Sequence, residues 1–235
     1  MSEKASGKLR VCAAVSGRGT VLKAVIEASR KGLLPLEFCG FVADRPCRGL
    51  EMAASHGIPA ECRDFATFPS REDFDEAFEH AVLQSKPDLV LLHYNRLVSS
   101  YLLNALPGRV INTHYSLLPS FRGFRAIPRA LAEGVCFTGV TIHTVTERVD
   151  DGPILAQAVC PIDAYDTEST LGRRLFAAAV PLTLGLLASA PNFGRTPGVI
   201  WPLPEGMSSI LSVALSEPLL LFADEFVRKV TPEAS

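Results

Sequence analysis

Apolar residues in the first half of the chain come in short runs rich in β-branched side chains, separated by stretches where they recur every three or four positions. Leu9–Val15 is such a run. It ends at Ser16-Gly17-Arg18-Gly19-Thr20, after which Val21, Leu22, Val25, Ile26 and Ala28 repeat at helical spacing up to Gly32. The pattern predicts a strand, a tight glycine loop and a helix. Residues 36–42 are strand-like again, Asp44-Arg45-Pro46 turns, and residues 50–56 read as a short helix closed by Gly57;. Ser70 with Asp73 three positions on predicts a capping box ahead of a helix whose Phe74, Phe78 and Val82 share a face;. Residues 88–92 are apolar after the first, as expected of a strand covered on both faces. Residues 110–112 look like a further strand that hands its last residues to a loop. Beyond it, 127–133 is helical, 139–145 and 154–162 read as strands, and 170–188 is a long helix. Strand and helix alternating in this way predict an α/β protein with a Rossmann-like, mostly parallel sheet flanked by helices.

From Pro191 the pattern breaks at Asn192-Phe193-Gly194, Pro197-Gly198, Pro202 and Pro204. We expect one domain over residues 1–190 and a C-terminal extension or arm over 191–235. Residues 207–230 are too few for a core of their own, so they should pack on the body or on a second subunit, giving a homodimer through the arm. Trp201, Leu203 and the stretch 219–222 are where burial between subunits would be sought first, with a core role the simpler expectation.

Composition narrows the function classes. The 235 residues carry 23 basic and 25 acidic side chains, a formal net charge of -2, which provides no electrostatic footprint for nucleic acid;. The six cysteines show none of the paired spacings of a zinc site or redox motif, so a reduced, cytoplasmic chain is expected;. The first eight residues are polar, unlike a signal peptide. The longest apolar runs, 175–188 and 210–223, are interrupted by Pro181, Glu217 and Pro218 and are shorter than a membrane span, so no membrane partner is expected;.

Two places carry candidate chemistry. The Gly17-Arg18-Gly19-Thr20 loop sets backbone N–H groups and a helix start where an anion can sit. It lacks the third glycine of a dinucleotide fingerprint, and a turn that merely needs glycine torsions explains it equally well. The second place is more specific. Ile111-Asn112-Thr113-His114-Tyr115-Ser116-Leu117-Leu118-Pro119 is followed by Phe121-Arg122-Gly123, then by Gly139-Val140-Thr141-Ile142-His143, and then by Asp150-Asp151-Gly152-Pro153. In extended backbone Asn112 and His114 project to one side. An amide beside an imidazole suits an acyl-transfer oxyanion, and Asp150 can act as base or orient the imidazole.

The set N-x-H-x-S-L-L-P, G-x-T-x-H and D-x-G-P resembles the signature of formyltransferases that use 10-formyltetrahydrofolate, nearest to the phosphoribosylglycinamide formyltransferase branch. The resemblance covers about residues 9 to 190 and includes Gly57-Ile58-Pro59, Ser70-Arg71 and Asn95-Arg96-Leu97. It implies an enzyme of one-carbon metabolism and purine biosynthesis that moves a formyl group to a small-molecule amine. It implies Asn112, His114 and Asp150 as the catalytic residues, with no metal. It places the folate against Arg96, Leu97 and Val98 and the loop beginning at Val140, largely through main-chain groups, with Arg71 toward the folate tail. It puts Gly17, Arg18, Gly19 and Thr20 with Ser116, Pro119 and Gly123 on the acceptor side, Ser116 and His143 mainly in support. His56, His80 and His93 are expected to be structural.

The chain also departs from the glycinamide ribonucleotide pattern. Thr20-Val21 stands where that branch typically has Ser-Asn, and Phe176, five residues ahead of Pro181, stands where it has an acid. Phe121-Arg122-Gly123 is closer to the Arg-Gly form of the sugar and methionyl-tRNA branches. An amino-sugar or hydroxy-amino-acid N-formyltransferase is therefore the alternative. Behind it come a formyltetrahydrofolate hydrolase, which usually carries an N-terminal regulatory domain, and an inactive folate-binding homologue.

Overall fold

A computed structural model describes residues 8–189, 201–202, 210–211 and 215–231. The chain forms two compact units, Met1–Val110 and Ile111–Ser235.

The first unit is the expected strand-helix alternation. Its strands β1 (Leu9–Val15), β2 (Leu36–Ala43), β3 (Ala60–Cys62) and β4 (Leu89–His93) lie in the order β3-β2-β1-β4, every pair parallel. Helices α1 (Thr20–Arg30), α2 (Arg48–Ser55) and α3 (Arg71–Gln84) make the crossovers that parallel neighbours require;. β1 is buried from Val11 onward, and α1 turns Val21, Leu22, Val25 and Ile26 inward. β3 was not expected: it has no apolar run of its own, and exists because β2 offers it a parallel partner. A short helix α4 (Ser100–Ala105) follows β4 and is capped by Ser99. At α3 only half of the expected capping box forms. Ser70 Oγ accepts from the Asp73 N–H at 3.1 Å, but the hydroxyl then donates to the Asp73 carboxylate, so that carboxylate does not reach back to the backbone. The reciprocal box is found instead at Thr167 and Thr170.

The second unit holds β5 (Val110–His114) from Ile111 on, α5 (Ala126–Ala132), β6 (Phe137–Thr144), β7 (Ile154–Pro161) and α6 (Glu168–Ala188). Here the pairings β5-β6 and β6-β7 are antiparallel. The link from β6 to β7 is a loop without a helix, too short for a parallel crossover. At Gly139 the backbones of β6 and β7 approach closely: a Cβ there would lie 2.0 Å from the Ala158 carbonyl oxygen. α6 is long and apolar enough to cross a membrane by length and composition, contrary to the expectation from its interrupted sequence, but 67% of its most apolar stretch is buried within the protein. Leu171, Leu175, Leu182 and Leu187 are fully enclosed, and the helix packs on β6 and β7 as a core element.

Within 191–235, β8 (Trp201–Pro202) and β9 (Ile210–Leu211) pair with each other, and β9 pairs with β7. Helix α7 (Glu217–Val230) packs on α6. Leu219 and Phe222 turn into the chain's own core while Leu221 faces outward, so the simpler expectation holds for these residues. Leu203 lies outside the described residues, as does the side chain of Trp201.

Candidate active site

Asn112 and His114 sit on β5 itself rather than in a loop after it, because the ladder with β6 continues to His114. The register sets Asn112 opposite His143 and His114 opposite Thr141. Opposed residues of an antiparallel pair share a face and touch. Asn112 Nδ2 accordingly lies 3.4 Å from His143 Nε2.

Asp150 joins this face from the loop after β6. Its backbone is left-handed, with φ 49°. Two residues on, a Cβ at Gly152 would lie 1.8 Å from the Thr144 carbonyl oxygen, so only glycine lets this loop close against the end of β6;. Thr144 N–H donates to the Pro153 carbonyl at 3.0 Å and completes the closure. The D-x-G-P motif is thus a device for setting the direction of Asp150.

The carboxylate of Asp150 bridges two imidazoles. Oδ2 is 3.3 Å from His114 Nδ1 and accepts from the Gly123 N–H at 2.8 Å, while Oδ1 is 3.4 Å from His143 Nε2. Burial by itself would raise the Asp150 carboxyl pKa; the hydrogen bonds from His143 and Gly123, with the imidazole charges, more than reverse this and hold it below the ordinary value;. Each imidazole also donates to a backbone carbonyl, His114 Nε2 to Phe121 at 2.9 Å and His143 Nδ1 to Thr144 at 2.9 Å. A carbonyl only accepts, so those nitrogens carry the proton. The Nδ1 of His114 then attracts Asp150 when it is protonated as well.

The Ser116–Pro119 turn is built from inside. Ser116, expected on the acceptor side, is fully buried, and its hydroxyl donates to the Ser120 carbonyl at 2.6 Å. It shapes the loop rather than presenting a group to a ligand. Thr141 Oγ1 donates to Ser116 O and accepts from the Leu118 N–H, tying the turn to β6. Pro119 is exposed, and the Val140 side chain is fully buried, which leaves Val140 only main-chain groups to offer.

In the first unit the expected ligand loops follow strand ends. Gly19 is left-handed, with φ 64°, and α1 starts at Thr20 without a side-chain cap, so its first N–H groups remain available;. Gly17 O is taken by the Gly49 N–H at 2.9 Å, and Arg18 is exposed. After β4, the guanidinium of Arg96 donates through Nε to Asp44 Oδ2 at 2.7 Å and lies 3.6 Å over the Phe65 ring. Arg71 donates to the Leu97 carbonyl at 2.6 Å and to Asp75 at 2.7 Å. Both arginine side chains are thus engaged in contacts within the protein. Asp44 is fully buried; burial raises its pKa, but hydrogen bonds from Arg45, Ser16 and Arg96 bring it below the ordinary value. Of the histidines expected to be structural, His56 bonds Met52 O through Nδ1 at 2.8 Å, and burial pushes the His93 imidazole down to about 4. Among the described residues no cluster of three His, Cys, Asp or Glu side chains is placed to hold a metal ion.

An amide and two imidazoles gathered on one sheet face by a carboxylate define a site equipped for acyl-group transfer. The chain belongs to the formyl transferase family, whose model matches residues 9–183. It is 35% identical over 192 residues to a phosphoribosylglycinamide formyltransferase of Mycobacterium tuberculosis, covering 81% of this chain and 89% of that one. The Bacillus subtilis protein of that description is 34% identical over 166 residues, with 68% and 83% covered. Among solved structures, glycinamide ribonucleotide transformylase 1 from Symbiobacterium toebii aligns with a TM-score of 0.76 and 36% identity over 89% of this chain and 95% of that one. A formyltetrahydrofolate deformylase from Pseudomonas syringae aligns with a TM-score of 0.68 at 22% identity and shares the fold. The protein is therefore a formyl-transferring enzyme.

Proposed function

We propose that the enzyme moves the formyl group of 10-formyltetrahydrofolate to the amine of glycinamide ribonucleotide, a step of purine biosynthesis. The bridged Asn112, His114, Asp150 and His143 constellation carries this reading, and the names of the similar proteins supply the acceptor. The attacking amine forms a bond to the formyl carbon, the bond from that carbon to N10 breaks, and the amine's proton passes to the departing nitrogen. Asn112 offers an amide hydrogen to the formyl oxygen. His114 relays the amine's proton: it gives its Nε2 proton to the departing N10, exchanging the Phe121 carbonyl for the substrate, and takes up in its place the proton that the amine loses;. Asp150 keeps the imidazole of His114 directed.

The main chain of Arg96, Leu97 and Val98 and that of Val140 hold the folate in this reading, with Arg71 as the brace of the 96–98 segment. The uncapped start of α1, residues Gly17 to Thr20, takes the acceptor phosphate, and Pro119 and Gly123 border the amine. Residues 1–190 contain every one of these groups; 191–235 is an added arm, whose part in a homodimer sedimentation would reveal.

One assay tests the reading: incubation with 10-formyltetrahydrofolate and glycinamide ribonucleotide, following tetrahydrofolate release and the formylated product together. Release with amino sugars but not with the ribonucleotide would assign the acceptor to the other branch, which the Phe176 and Thr20 substitutions favour. No release with any amine would overturn the reading.

A further inference from the structure

We propose that Asp44 is a positioning residue for the folate: it locks the Arg96 side chain so that the main chain of residues 96–98 is presented in a single conformation. The inference rests on the assignment of that segment to the folate and adds the residue that holds it there.

Residues 95–99 form neither helix nor strand, so no backbone ladder sets their shape. Side chains do it instead. Ser16 Oγ accepts from the Asn95 N–H at 2.9 Å, Asp44 accepts from Arg96, Arg71 donates to the Leu97 carbonyl, and the Glu79 carboxylate accepts from both the N–H and the hydroxyl of Ser99 at 2.7 Å. Asp44 and Glu79 are both buried, which makes their bonds costly to break;. Asp44 differs from the other anchors because the side chain it fixes belongs to residues 96–98 themselves. The Arg96 guanidinium is held at its edge by the carboxylate and on its face by Phe65, whose ring packs edge-on against Phe74 with centroids 5.1 Å apart. A planar cation gripped on edge and face has one orientation left. An approaching ligand anion would have to outcompete a buried carboxylate, so Arg96 acts by shape, not by charge.

Asp44→Asn keeps the size of the side chain and one acceptor oxygen while removing the charge. In the unliganded protein, amide hydrogen exchange at Asn95 and Ser99, the hydrogen-bonded amides that flank residues 96–98, should accelerate about tenfold, and KM for 10-formyltetrahydrofolate should rise about tenfold with kcat within about twofold, as for loss of one charged hydrogen bond. Calorimetry with tetrahydrofolate should show the same loss of affinity. Combining the change with Arg96→Gln should cost less than the sum of the two alone, because both break the Asp44–Arg96 contact. Unchanged exchange, or a fall in kcat with KM intact, would overturn the proposal. Faster exchange with undiminished tetrahydrofolate affinity would show that 96–98 does not read the folate, and the assignment under Proposed function would fall with it. Should Asp44→Asn not fold, Phe65→Leu removes the stacking platform without touching a charge and must raise KM in the same direction; an unchanged KM would overturn the proposal equally.

Discussion

The imidazole of His114 and the carboxylate of Asp150 meet at 3.3 Å with side chains only 10% and 11% exposed. Shielding of that order makes the contact stronger than the same pair would be at the surface. Asp150→Asn preserves the acceptor for the Gly123 N–H and removes the charge. We expect formyl transfer to fall about a hundredfold or more with an unchanged circular dichroism spectrum; near-normal turnover would remove Asp150 from the chemistry.

His143→Phe tests the other side of the bridge. His143 is 1% exposed and opposes Asn112, so its loss frees both Asn112 and one oxygen of Asp150. Turnover should drop about tenfold or more, less than for His114→Ala, because His143 acts through its neighbours. Equal losses for the two variants, measured side by side, would mean that His143 itself meets the substrate.

Acid should destabilise the protein through its carboxylates. The carboxyl pKa values of Asp150, Asp44 and Asp166 all lie below the ordinary aspartate value in the folded state. A lowered folded pKa adds stability that is present above the unfolded pKa and is lost as pH falls through the folded one. Melting temperature should therefore be flat with respect to these groups above about pH 5 and fall steeply below about pH 4. The fall should be shallower in Asp150→Asn; parallel curves would contradict the assignment.

Gly152→Ala puts a methyl group where the Thr144 carbonyl oxygen stands 1.8 Å away. The loop has to back off, at about 1–3 kcal/mol. Melting should drop by roughly 2–4 °C for each kcal/mol in a chain of this size. Because Asp150 is carried on the same loop, kcat/KM should fall as well. Full activity in a destabilised variant would show that the glycine serves packing alone.

Arg174 anchors the start of α6. It bonds Asp166 and Asp163 at 2.8 Å and the Pro161 carbonyl at 2.9 Å, with Asp166 only 3% exposed. Arg174→Met leaves a buried carboxylate without its partner and should cost about 3 kcal/mol, read from denaturant midpoints at constant m. A change below the error of the fit would show that solvent reaches Asp166 readily.

Much of this was legible in the chain. The apolar runs of β1 and β4 and the helical spacing of α1 announced a parallel core, and Asn112, His114 and Asp150 stood out because polar residues following a buried strand have no packing reason to be there. Register was not legible. Nothing local says that His143 opposes Asn112, since that depends on how β5 and β6 slide against each other. That Asp44 holds the Arg96 side chain was not legible either, because the two are 52 residues apart in sequence and meet only at the ends of parallel strands. β3 and α4 were missed for a related reason: neither has a periodic apolar pattern, and one depends on the edge of β2, the other on its Ser99 cap.

Asn112, His114, His143 and Asp150 all come from β5, β6 and the loop directly after them, neighbours in sequence as well as in space. The loops at Gly17, Asp44 and Arg96 are gathered instead from the ends of three strands scattered over the preceding stretch. A change in the Gly17 loop can thus arise without touching the four reactive side chains, which a single uninterrupted passage encodes. Divergence at Thr20 with an intact Asn112 to Asp150 passage is what that separation allows.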